Sequence, residues 1–441
     1  MPPPAIMRNT PGKRRSIKPK RGRKKMNPNA ALNKKDDFRS WFLNKLLMGM
    51  TWPEYIRHMI TPFNVAAAVI LSVGLPLMGL RYIHGLEVVT DASNEYPWGL
   101  FLGWGLFSGV PLSATGFVMA TAYYIFGFKR YKPLVRLAVL TGFLGYFFAV
   151  VYLMTDLGRP WRIYYPMFVG FGTASVLFLV AWHVATYLTV QFLEFSPAIL
   201  EWLEAGRTRK WAMMITIAMT IAGIILSTLH QSALGALFLL APAKMHPLWF
   251  TSYLPTLFLA SSIYAALAMV IVVSTLAAVF LKKSADDHFL GNLNELTIGL
   301  GKGTSIGILV YLALKLVAMA HGDAWGLLGT PYGHWYLVEI LGFVLLPALI
   351  LAAGVKKGSL GLVRFGGFHA VIGVILNRIN VSMVAFNWKL PDHLHHIMPH
   401  WQEIAVVLSI FTLHILIFRW ILVRMPVIHQ DQGFKQVEKN H

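Results

Sequence analysis

The chain has 441 residues, 56% of them hydrophobic and only 13% charged, with a net charge of +20 and no cysteine. Globular chains carry roughly 25% charged residues. The low charge, with apolar blocks of about 20 residues that each match a ~30 Å hydrocarbon core, points to an all-α polytopic membrane protein; a β-barrel would need alternating segments of about ten residues. Without cysteine there can be no disulfide, no thiolate-bound iron–sulfur cluster and no covalently attached haem c on this chain, so a redox group here must be a haem held through His or Met, or a diffusible quinone.

Residues 1–37 open the chain as a basic arm containing the run KRRSIKPKRGRKK. Such a composition predicts disorder, with a topogenic role and contact with anionic headgroups; nucleic acid is not an expected partner. Residues 38–60 predict an amphipathic helix along the inner membrane surface. The transmembrane domain is expected over 61–425. Its ten spans fall near 62–82, 98–126, 134–154, 168–192, 211–230, 254–280, 298–319, 335–353, 365–386 and 403–424, and 426–441 form a tail. Lys and Arg gather in the connections at 127–136, 193–210, 281–297 and 354–364, while 83–97 and 321–334 have none. By the positive-inside rule both termini are then cytoplasmic. Trp and Tyr residues such as Trp98, Trp161, Tyr164, Trp249 and Trp335 mark the outer interface.

Taken along the spans, five ionisable residues stand out: Asp156 at the end of the third, His230 at the end of the fifth, Lys315 in the seventh, Glu339 in the eighth and Arg378 in the ninth. A charge in a bilayer costs about 2.5–3.5 kcal/mol even on the lenient insertion scale. Each has an ordinary explanation. Asp156 and Arg159 can pair at a helix end, Lys315 and Glu339 can lock two helices, Arg378 can snorkel, and His230 can be a satisfied interfacial residue. Together they fall in the outer half of the membrane and favour a polar cavity open to that side. His183 sits nearer mid-membrane, His369 near the inner face and His414 in the tenth span.

An outer cavity bordered by lipid suits a quinone. A histidine can donate to its carbonyl and take a proton, a carboxylate such as Asp156 can pass that proton to water, and aromatic rings can pack the ring plane. The same residues would equally serve an ion- or solute-translocating subunit without a redox role. A b-haem cytochrome is a third reading, but His183, His369 and His414 lie on three different spans and offer no evident ligand pair.

At these residues the sequence resembles the NrfD/PsrC family of integral membrane quinone-interacting subunits, and especially the Hyb-type membrane subunit of uptake hydrogenases. The matching stretches are Tyr96-Pro97-Trp98-Gly99-Leu100, Lys132-Pro133-Leu134-Val135-Arg136, Thr155-Asp156-Leu157-Gly158-Arg159, Leu193-Glu194-Phe195-Ser196-Pro197-Ala198, Leu229-His230-Gln231-Ser232 and His246-Pro247-Leu248-Trp249, with Glu339, Arg378 and the run Ser382 to Asn387. Where the Hyb-type pattern has Arg, this chain has Lys315. The resemblance implies two four-helix bundles, spans 2–5 and 6–9, flanked by spans 1 and 10. It implies a menaquinone or ubiquinone site in the first bundle near the periplasmic face of a bacterial inner membrane, and no haem or iron–sulfur cluster on the chain. It also implies a periplasmic ferredoxin-like iron–sulfur partner leading to a hydrogenase or molybdoenzyme catalytic subunit, or to a multihaem cytochrome. Carried onto this chain, it makes Asp156 the proton acceptor and His230 a quinone ligand. Trp98, Arg159, Gln231 and Ser232 would line the site, and Lys315, Glu339, Arg378 and His183 would form a proton path or a structural network.

Overall fold

The computed structural model describes residues 40–391, 393–395 and 397–429. The expected basic arm at 1–37 and residues 430–441 of the expected tail lie outside them. The described residues up to Met59 belong to a unit of their own, with a helical stretch over 40–47 and a helix at Trp52–Met59. Thr51 starts that helix: its backbone N–H and its hydroxyl donate to Glu54 Oε2 at 2.9 and 2.8 Å, a capping-box contact. Trp52, Ile56 and Met59 are all exposed and share one helix face.

From Ile60 onward, the described residues contain ten helices long and apolar enough to cross a membrane. They are α1 (Pro62–His84), α2 (Phe101–Ile125), α3 (Lys129–Asp156), α4 (Val176–Trp202), α5 (Gly206–Leu240), α6 (Leu254–Phe280), α7 (Leu293–His321), α8 (Pro331–Lys357), α9 (Leu360–Val384) and α10 (Trp401–Arg424). Extended pairing among the described residues is limited to one bridge between Met245 and Phe386. The chain is thus a multi-pass all-α membrane protein. The connections after α1, α3, α5 and α9 are long and collect at one face, the long-loop face; at the other face α2 and α3 are joined through three residues and α8 and α9 through two.

The neighbours of each helix sort α2–α5 into one group and α6–α9 into another, with α6 seated against α2 and α5. α1 and α10 pair with each other and lean on α3. Their approach is close: a Cβ on Gly74 would lie 1.9 Å from Ser409 Oγ and 2.6 Å from the Ala405 carbonyl oxygen. Ser409 Oγ donates to the Ile70 carbonyl at 3.0 Å. Only 11% of the apolar window of α1 is buried, against 78% for α2, so α1 faces lipid and α2 runs through the centre.

Two helices differ from expectation. α4 begins at Val176 rather than near 168, because Gly170 and Gly172 break the run and the Ser175 side chain caps the new start by accepting from the Phe178 N–H. α5 runs from Gly206 to Leu240 rather than over 211–230. Its helix continues through Gln231 and Ser232, which a hydropathy window reads as an end. Four stretches widen to π-helix: Phe101–Ser108, Thr121–Ile125, Val338–Leu345 and Asn380–Val384. Such insertions recur at functional sites, and two of these hold Glu339 and Asn380.

Candidate functional site

Asp156 is the last residue of α3. On either side of it, Arg81 of α1 binds the backbone: Nε donates to the Thr155 carbonyl and Nη2 to the Leu157 carbonyl. A guanidinium so placed satisfies carbonyls left open at a helix end. Glu403 of α10 does the converse for α2. Its carboxylate accepts from the backbone N–H groups of Leu100 and Phe101 and, at 3.1 Å, from the Thr90 hydroxyl. Glycine at 99 permits this, since a Cβ there would lie 2.4 Å from Glu403 Oε1. Arg81 and Glu403 are 2% exposed each, and both act electrostatically on Asp156. Arg159, expected beside Asp156, is exposed. No ion pair among the described residues joins the two. The helix ends at Asp156 and Leu157 turns to extended backbone, φ −63° and ψ 127°, so the helical i,i+3 relation that would bring Arg159 alongside is lost.

His230 lies deeper than expected. It is fully buried in α5, ten residues before that helix closes at Leu240. Its ring centroid is 5.7 Å from that of Tyr146. Tyr146 precedes Asp156 by ten residues on α3, which is about 15 Å at 1.5 Å per residue. His230 and Asp156 therefore share the first bundle at different depths rather than touching. Around His230 stands a polar set from four helices, α2 to α5. Gln231 Nε2 donates to the Val110 carbonyl at 3.1 Å and to the Tyr146 hydroxyl at 3.2 Å. Tyr146 meets Tyr187 edge to face at 4.6 Å, Gln191 Nε2 donates to the Tyr187 hydroxyl at 2.8 Å, and Ser227 lies beside both phenols. Nearer the other face, Thr220 donates to Glu194 Oε1 at 2.8 Å. His183 is within electrostatic range of His230. Both ring nitrogens of His230, Oε1 of Gln231 and of Gln191, and Nδ1 of His183 are buried without a hydrogen-bond partner in the protein. Ser232 follows Gln231 half-buried.

Trp98 packs elsewhere. It stacks on Phe386 with centroids 4.3 Å apart and meets Phe107 and Phe238 at 5.5 and 5.2 Å. This aromatic knot ties the start of α2 to the segment after α9.

The second bundle holds a different kind of cluster. Glu339, fully buried, accepts from Trp249 Nε1 at 2.8 Å, Asn377 Nδ2 at 2.7 Å and Asn380 Nδ2 at 2.6 Å, and lies 3.9 Å from Lys315 Nζ. Arg378 donates to Asn377 Oδ1 at 2.8 Å and Ser261 Oγ at 2.5 Å. Its guanidinium carbon sits 3.6 Å from the centre of the Phe258 ring. It is held inward rather than snorkelling. Trp335 Nε1 donates to Asn380 Oδ1 at 3.0 Å. The carboxylate here is saturated, so the cluster ties α6, α7, α8 and α9 into one block. Beside it, outside the spans, His246 stacks on Tyr332 at 4.6 Å, and burial lowers its pKa to about 4.

Arg81, Glu403, Tyr146, Tyr187 and Gln191 do not stand out in the sequence. Arg81 and Glu403 stand at span ends, where a charge looks like interfacial anchoring. The tyrosines look like packing residues in apolar runs. Gln191, a lone amide well inside the fourth span, was the one readable signal.

The family model described as "Polysulphide reductase, NrfD" matches residues 88–387. A protein of Nitratidesulfovibrio vulgaris is 44% identical over 379 residues, 86% of this chain and 97% of its own length. The "Probable Ni/Fe-hydrogenase 2 b-type cytochrome subunit" of Escherichia coli is 28% identical over 79% of this chain and 88% of its own. The "Menaquinone reductase, integral membrane subunit" of Nitratidesulfovibrio vulgaris is 24% identical over 78% and 86%.

Proposed function

The chain belongs to the NrfD family, and from that premise we propose that it is the quinone-reactive membrane subunit of a respiratory oxidoreductase in a bacterial inner membrane. The observation that carries this reading is the set of buried, unpartnered polar atoms around His230 in the first bundle. A buried polar atom without a partner is costly, and this set offers what a quinone headgroup uses. An imidazole N–H can donate to a quinone carbonyl. The other imidazole nitrogen and Gln231 Oε1 can accept from the hydroxyls of the quinol. Tyr146, Tyr187 and the surrounding apolar side chains keep bulk water out, which strengthens those contacts.

Oxidation of a menaquinol or ubiquinol releases two electrons and two protons. His230 takes up the two protons in turn at the headgroup, and Asp156, about three helical turns nearer the long-loop face, hands each on to water. The Lys and Arg gathered in the short connections support an outward long-loop face and cytoplasmic termini. The electrons then pass at that face to a ferredoxin-like iron–sulfur partner and on to a hydrogenase or molybdoenzyme subunit or a multihaem cytochrome. The names of the hydrogenase and menaquinone reductase relatives support this class of complex. Quinone titration of the full chain in lipid nanodiscs tests the reading. His230→Ala should weaken binding at least tenfold, while Asp156→Asn should leave binding largely intact and slow quinol turnover in the assembled complex. Unchanged binding in His230→Ala would refute it.

One observation favours a second reading. His183 on α4 lies within electrostatic range of His230 on α5, and a b-haem takes its axial ligands from two such histidines on neighbouring helices. An optical spectrum of the purified chain decides between the two: a b-type Soret band that His183→Ala abolishes would put haem where the quinone is placed above.

A further inference from the structure

The hydrogen bonds that saturate Glu339 leave Lys315 outside them. The carboxylate takes its donors from Trp249, Asn377 and Asn380, while Lys315 Nζ stands 3.9 Å away, beyond hydrogen-bond reach. The Lys315 side chain is 6% exposed, yet its ammonium makes no hydrogen bond among the described residues. The hydroxyl of Tyr336, a buried residue at the start of α8, makes none either. Both side chains line a cavity of about 10 Å³ under the connection between α5 and α6, together with Trp249, Thr251, Leu257 and Met319. Such a cavity holds one small body, and two unpartnered donors border it.

The charges about the cavity do not cancel. Arg378 on α9 is a second cation beside Lys315, and Glu339 on α8 is the carboxylate that both face. The other titratable neighbours are phenols: Tyr264 on α6, Tyr311 on α7 and Tyr336 on α8. Arg378 is already bound to Asn377 and Ser261 and packed on the Phe258 ring. The Tyr311 and Tyr336 rings lie 6.0 and 5.4 Å from Lys315 Nζ, at the limit of cation–π attraction. A buried charge is costly unless it is paired. Two cations on one carboxylate leave a positive charge over, and it falls at the ammonium whose donors are unused.

We propose that this cavity is a site for one small monovalent anion of the halide class, held by Lys315 Nζ and the Tyr336 hydroxyl. A compact ammonium with three rotatable donors can face Glu339 on one side and an anion on the other. The bound ion completes the charge balance of the second bundle and so stabilises the block formed by α6–α9.

Thermal unfolding of the full chain in nanodiscs tests it, with sodium chloride exchanged for sodium gluconate at constant ionic strength so that screening stays fixed. A ligand of the folded state raises the unfolding temperature with concentration. Chloride should do so and saturate, bromide should replace it, and gluconate, too large for the cavity, should not. Tyr336→Phe should raise the half-saturating chloride concentration about fivefold, the worth of one hydrogen bond, and Lys315→Met should abolish the saturable response. Equal unfolding temperatures in chloride and gluconate would mean that the cavity holds water only, and would overturn the proposal. So would a response that does not saturate, or one that survives Lys315→Met. If Lys315→Met does not fold, Tyr336→Phe decides, and an unchanged half-saturating concentration there overturns the site.

Discussion

Glu339 and His230 are both fully buried, and their surroundings differ in the way that matters. Glu339 has three hydrogen-bond donors and an ion-pair partner, whereas His230 has no hydrogen-bond partner in the protein. Glu339→Ala would leave Lys315 buried without its countercharge, a change that costs about 3–5 kcal/mol in a broken buried pair. Thermal unfolding in detergent should register that loss while quinone affinity stays near that of the unmodified chain; a selective loss of quinone binding would instead place the quinone in the second bundle. His246 gives a separate prediction. Its pKa falls from the ordinary 6.5 to about 4 on burial, so the fold binds the neutral ring and its Nδ1 accepts from the Leu248 N–H at 3.2 Å. The stabilisation is therefore complete above about pH 6.5 and is lost as pH falls toward 4. The unfolding midpoint should drop across that window, and His246→Gln should flatten the drop. The residue types of this site were legible in the sequence, but their partners were not. Asp156 and Arg159 are neighbours only if the helix continues; with extended backbone at Leu157, the cation at this helix end is Arg81, 75 positions earlier in the chain, bound to the carbonyls of Thr155 and Leu157.

At the scale of elements, hydropathy located all ten spans because each is a long apolar block, and it misplaced their ends where polar residues continue a helix. α5 shows the consequence. Ending it at His230 put that residue at the membrane surface, and its true extent to Leu240 puts the histidine beside Tyr146. The π-helical stretches at Val338–Leu345 and Asn380–Val384 leave no mark in hydrophobic periodicity at all. The α1–α10 contact offers a direct test. Gly74→Val adds atoms where a Cβ alone would sit 1.9 Å from Ser409 Oγ, and overpacking of this kind costs about 1–3 kcal/mol. Gly79, on the same helix, has no atom within 4 Å of a Cβ position, so Gly79→Ala should leave the unfolding temperature unchanged or raise it slightly. Equal effects from the two substitutions would mean that α1 and α10 do not depend on close approach.

At the scale of the molecule, the two helix groups divide the labour. The second group is fastened by the network around the fully bonded Glu339 carboxylate. The first carries unsatisfied polar atoms along α4 and α5, with Asp156 at the lip and a further carboxylate, Glu194, toward the other face. The split into two groups came to the sequence reading only through resemblance, since spacing along the chain does not say which helices touch. In the proposed function the quinone headgroup sits in the first group beneath Asp156. Photo-crosslinking of the full chain with an azidoquinone, followed by peptide mapping, tests it most directly. Labelling should concentrate on α3, α4 and α5 around Tyr146, His183 and His230, be competed by unlabelled quinol and fall in His230→Ala; labelling confined to α7–α9, or unaffected by that substitution, would exclude this site.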